Sequence, residues 1–94
     1  MAAVYILFSK TLNRYYTGSC NELGGRIEQH ISKHFRKSFT AKSDDWNLFF
    51  LVNNLQYQQA RLIESHIKRM KSRKYIENLK KYPDIMERLI HKYA

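Results

Sequence analysis

An apolar run, Ala3 to Phe8, and a short aromatic run, Arg14 to Ser19, flank the polar stretch Ser9-Lys10-Thr11-Leu12-Asn13. Runs of that length around a polar turn predict a β-hairpin at the start of the chain. A hairpin alone is marginal in water, so the remaining sequence must supply a layer to cover it. Asn21 offers a helix N-cap, and Leu23, Ile27 and Ile31 recur every fourth residue, which predicts a helix from about Glu22 to His34. Gly24 and Gly25 fall in its first turn and weaken it, each by about 1 kcal/mol relative to alanine; a frayed first turn is expected there. The polar, basic segment from Phe35 to Asp45 reads as a loop.

Trp46 to Val52 (WNLFFLV) is β-prone and almost continuously apolar, as expected of a central strand. Asn53-Asn54 is expected to form a turn and the next N-cap. Tyr57, Ala60, Ile63, Ile67 and Met70 then keep helical spacing to about Met70. From Lys71 the segment KSRKYIENLKKY is again helical in periodicity. Pro83 suits the first turn of a last helix that buries Ile85, Met86, Leu89, Ile90 and Tyr93. The order β-β-α-β-α-α-α has too few strands between helices for a doubly wound sheet, so the fold class expected is α+β, with a small three-stranded antiparallel sheet flanked by helices. A chain of 94 residues with 44% apolar content accommodates a single domain over 1–94, with a core over about 3–80 and a C-terminal helix over about 83–93.

Charge restricts the partner. Seventeen Lys and Arg against eight Asp and Glu give a formal +9, which favours a polyanion through counterion release. Between Arg61 and Lys81, the basic residues Arg61, Lys68, Arg69, Lys71, Arg73, Lys74, Lys80 and Lys81 are set against only Glu64 and Glu77. Lys68, Lys71, Arg73 and Lys74 are the expected nucleic-acid contacts. The basic residues are spread along helices rather than opposed to one apolar stripe, which argues against an anionic-membrane adaptor. No apolar run approaches a membrane span, and the first ten residues lack secretory features; with the lone Cys20, a cytoplasmic location is expected. His30 and His34 have the spacing of a metal pair, yet no third ligand lies nearby in sequence, so zinc is not expected.

Ala3-Val4-Tyr5 on the first strand and Tyr16-Thr17-Gly18 on the second resemble the paired motifs that name the GIY-YIG nuclease superfamily. Arg26 and His30 match that family's R-x-x-x-H, and Glu64 in ARLIESHIK stands where the family places its acidic metal ligand. The ending KSRKYIENL resembles the small stand-alone branch related to the N-terminal nuclease domain of the UvrC excinuclease. The departures are Ala3 for the first glycine and Thr17 for the isoleucine; the asparagine that some branches carry after the glutamate has no clear counterpart, Asn78 being a loose candidate. The resemblance implies a metal-dependent endonuclease acting on DNA, in repair or processing. It gives Tyr5, Tyr16, Arg26, His30 and Glu64 as catalytic residues, Glu64 as the metal ligand, and Mg2+ or Mn2+ as cofactor.

The residue types suit that chemistry. Phosphodiester hydrolysis needs a deprotonated water and relief of charge on the phosphate. A tyrosine can take or relay the proton. Arg26 and His30, four apart on a helix, can meet one phosphate together. A lone carboxylate suits Mg2+, which keeps several waters. Glu64 also has Lys68 at i+4, the spacing of a helix salt bridge. The rival expectation is a non-catalytic nucleic-acid-binding module that works through a partner protein.

Overall fold

The computed structural model describes residues 2–21 and 46–94. Three strands, β1 (Ala2–Ser9), β2 (Arg14–Asn21) and β3 (Trp46–Leu55), form one antiparallel sheet in the order β2-β1-β3. Helices α1 (Tyr57–Met70), α2 (Arg73–Lys81) and α3 (Pro83–Lys92) follow. This is the expected α+β architecture. The helix expected over residues 22–34 and the loop to Asp45 lie outside the described residues.

The hairpin forms where the polar stretch predicted it. Ser9 Oγ accepts from Leu12 N at 3.1 Å, and Asn13 takes up the left-handed conformation (φ 53°) that asparagine tolerates better than most residues. The centre of the sheet is β1, a correction to the expectation that WNLFFLV is central. Every residue from Ala2 to Leu7 is at most 1% exposed, because this run is apolar apart from the Tyr5 hydroxyl and is packed on both faces of the sheet. Strand β3 carries Asn47 inside its apolar run and leaves Leu48 47% exposed. A second correction concerns Asn53-Asn54, which belong to β3 and form no turn. Ala2 pairs with Leu55 and Val4 with Val52, so β3 contains one extra residue there, and a second lies between Phe50 and Leu48, which pair with Ile6 and Leu7. Asn54 (φ 61°) accommodates the first bulge.

The helix N-cap is therefore Gln56. Its N–H donates to Gln59 Oε1 at 3.1 Å, and Gln59 Nε2 donates to Ile90 O at 2.8 Å, which ties the start of α1 to α3. Gln59 is buried, so Gln59→Ala removes both bonds and strands a carbonyl. An expected loss of about 1–3 kcal/mol can be read from urea unfolding.

Strand alternation gives the sheet two apolar faces. Ala2, Val4 and Ile6 pack with Ala60, Ile63 and Ile67 of α1, Leu79 of α2 and Met86 and Leu89 of α3. Ala3, Tyr5 and Leu7 face the other way, with Cys20 and Trp46. Of the residues expected to be buried by the last helix, Met86 and Leu89 are fully buried, and Ile85, Ile90 and Tyr93 are partly so. Lys71 breaks the helical run in the left-handed region (φ 48°), after which Ser72 Oγ caps α2 by accepting from Tyr75 N at 3.1 Å.

His66 sits where the three helices meet. Its Nδ1 shares a 3.0 Å hydrogen bond with the Tyr93 hydroxyl, and its ring leans on Tyr75. Burial, then the positive charges of Lys92 and Arg69, lower its pKa. A histidine whose folded pKa is depressed stabilises the fold above its unfolded pKa, about 6.5, and loses that contribution as pH falls towards the folded value. Stability should therefore rise with pH through this window, and His66→Gln should flatten the slope measured by unfolding at a series of pH values.

Candidate active site at the β2 edge

The hairpin register sets the two tyrosines of the paired motif close together. Tyr5 stands opposite Gly18, and Leu7 stands opposite Tyr16. Tyr5 is fully buried, and its ring lies over the Gly18 backbone. A Cβ added at Gly18 would meet Tyr5 Cζ and the phenol oxygen, each at 2.7 Å. The glycine that ends the second motif is thus required by the tyrosine that ends the first, a cross-strand reason that motif spacing alone does not reveal. Gly18→Ala should displace a ring with no room to move. The expected cost is about 1–3 kcal/mol, visible as a lower melting temperature.

Glu64 reaches the same edge from α1. The apolar stripe Ala60, Ile63 and Ile67 fixes the rotation of the helix on the sheet, and this turns Glu64 towards β2. Ser19 Oγ donates a hydrogen bond to Glu64 Oε1. Lys68 Nζ donates to Oε2 at 2.7 Å, the i+4 pair allowed by the sequence. The carboxylate is held by one group from the strand and one from its own helix. Its side chain is 17% exposed against 53% for Lys68.

The phenols sense this carboxylate. Burial pushes the Tyr5 pKa well above its ordinary value, and the charges of Tyr16, Cys20 and Glu64 add to the rise. Burial also raises the Tyr16 pKa; Lys68 partly opposes this, and Glu64 adds to it. Both phenols are therefore neutral near pH 7. Tyr5, Tyr16 and Glu64, three of the five catalytic residues expected from sequence, share one electrostatic neighbourhood. Arg26 and His30 lie outside the described residues.

A groove of about 460 Å³ runs beside Tyr16, lined among others by Asn13, Arg14, Lys68, Lys71, Ser72 and Arg73. Three of the four expected nucleic-acid contacts meet there; Lys74 does not line it. Arg73 is already engaged, donating to Asn13 Oδ1 at 2.8 Å and Asn13 O at 3.3 Å, with its guanidinium 5.4 Å from the centre of the Tyr15 ring. It therefore clamps the hairpin turn to α2. Ser19 and Arg14 were not singled out by the sequence. Strand alternation places Ser19 on the helix-facing side, but only the packing of α1 reveals its partner.

Among the described residues, no three His, Cys, Asp or Glu side chains come together. The donor set at this edge is one hard carboxylate beside a half-exposed lysine on an open groove. That fits a divalent cation which takes a single protein oxygen and keeps its waters.

Residues 1–80 match the GIY-YIG catalytic domain family. No curated protein and no solved structure matches the chain. With most of its length matched, and with both tyrosine motifs paired across one hairpin, the chain belongs to the GIY-YIG catalytic domain family and has its nuclease-type fold.

Proposed function

We propose that this protein is a metal-dependent endonuclease that hydrolyses phosphodiester bonds in DNA, serving repair or processing in the cytoplasm. The observation that carries the proposal is the Glu64 carboxylate, oriented by Ser19 within electrostatic reach of both motif tyrosines and beside a basic groove. Kinship with the UvrC excinuclease is part of this proposal and rests on the KSRKYIENL segment, which forms most of α2.

Glu64 is the residue that would hold Mg2+ or Mn2+. The chemistry supplied by such a cation is a lower pKa for bound water and neutralisation of charge on the phosphate. Tyr16, partly exposed on the groove side, orients the attacking water and relays its proton. Tyr5, fully buried behind Gly18, positions Tyr16 and excludes water from the inner side of the site. Arg26 and His30 engage the scissile phosphate. Arg14, Lys68 and Lys71 guide the backbone along the groove, and Lys74 extends this basic surface. These are cationic side chains, which suits them to phosphate oxygens.

The competing possibility is a non-catalytic nucleic-acid-binding module acting with a partner protein. A labelled duplex incubated with purified protein and Mg2+ or Mn2+ separates the two. Cleavage products support the nuclease. Salt-sensitive retention of intact duplex with every divalent cation supports the module.

A further inference from the structure

Lys68 belongs to two neighbourhoods. Its Nζ donates to Glu64 Oε2 at 2.7 Å, while its side chain also lines the groove with Arg14, Tyr16 and Lys71. Ser19 holds the opposite carboxylate oxygen from β2. With 53% exposure for Lys68 and 17% for Glu64, the lysine is free to turn while the carboxylate stays in place.

We propose that Lys68 is a resident counter-ion of Glu64, which yields Oε2 to the divalent cation and swings into the groove to take a backbone phosphate. It thereby couples metal binding to nucleic-acid binding. This exchange rests on the reading of Glu64 as the metal-holding residue. An ammonium and a divalent cation cannot both sit at contact distance on one carboxylate oxygen without strong repulsion, so one must leave. Departure costs little, because a pair with an exposed partner contributes no more than about a fivefold factor in an equilibrium constant. Lysine suits the role, being a compact charge on a flexible stem rather than a rigid fork. Once released, its ammonium joins Arg14 and Lys71 on the groove, where a phosphate is the matching anion. The coupling is reciprocal: nucleic acid that captures Lys68 frees Glu64 for the cation.

Two measurements on the full chain test this. Mn2+ binding is followed by loss of the free-ion paramagnetic resonance signal in wild type, Lys68→Met, Lys68→Arg, Lys71→Met and Glu64→Gln. Affinity for a duplex oligonucleotide is then measured with and without Mn2+, in a Tyr16→Phe background that slows cleavage. Lys68→Met is expected to bind Mn2+ about two- to fivefold more tightly, with Lys68→Arg and Lys71→Met close to wild type. Mn2+ is expected to strengthen oligonucleotide binding less in Lys68→Met than in its parent. Equal Mn2+ affinity in Lys68→Met and wild type, or the same gain in Lys71→Met, would overturn the exchange while Glu64→Gln still loses Mn2+. Unchanged coupling to the oligonucleotide would overturn the phosphate-capturing step. Wild-type Mn2+ binding by Glu64→Gln would instead remove the metal role of Glu64, and the exchange with it.

Discussion

Glu64→Gln is expected to lower DNA cleavage by roughly 10³-fold or more while leaving the fold and DNA binding in place. The substitution keeps the shape of the side chain and an oxygen that can accept from Ser19, but removes the charge that suits a divalent cation. Losing the pair with half-exposed Lys68 costs under about 1 kcal/mol, so thermal unfolding should move by only a few degrees. Removing a negative charge beside a basic groove should leave duplex affinity unchanged or slightly higher. Retained binding with lost cleavage identifies a chemical role. A parallel fall in stability, binding and cleavage would reduce Glu64 to a structural tether between α1 and β2.

The second large effect separates the tyrosines. Tyr16→Phe is expected to reduce the single-turnover rate by about 10²- to 10⁴-fold, the range for loss of a positioned proton-transfer group. Tyr5→Phe should reduce it much less, because the Tyr5 hydroxyl is fully buried behind Gly18 and cannot touch substrate directly. The pH profile provides a further check. Burial and Glu64 hold the Tyr16 phenol above its ordinary value, so the free enzyme carries it protonated throughout the neutral range. Its removal should therefore scale the rate down without changing the shape of the profile near neutrality. Equal losses in the two variants would contradict the division of roles between them.

Much of the fold is legible in the sequence because its signals are local. The hairpin follows from two short runs around a polar turn, and the end of α1 near Met70 follows from apolar spacing, although its N-cap at Gln56 does not. The centre of the sheet is less legible. WNLFFLV resembles a strand buried on both faces, yet Asn47 and the exposed Leu48 mark it as an edge, whereas the truly continuous run is Ala2 to Leu7. Asn53-Asn54 misleads because asparagine serves helix caps and left-handed bulge positions equally well, and only pairing with β1 decides between them.

The site divides in the same way. Tyr5, Tyr16 and Glu64 are visible through motif resemblance, and the Glu64–Lys68 pair through i+4 spacing. The Ser19 contact with Glu64, the need for Gly18 beneath Tyr5, and the clamp of Arg73 on Asn13 join residues distant in sequence. They depend on hairpin register and on how α1 and α2 seat against the sheet, and no local pattern encodes them. Arg73 also holds the hairpin turn, a second use that its basic character in the sequence does not reveal.

Hydrolysis of phosphodiester bonds at this β2-edge site is measured most directly by the conversion of supercoiled plasmid by the purified protein over time. Nicked circles that accumulate with Mg2+ or Mn2+ and stop on chelation are the predicted result. Plasmid that stays supercoiled with either cation, at protein concentrations where it is fully bound, would contradict it.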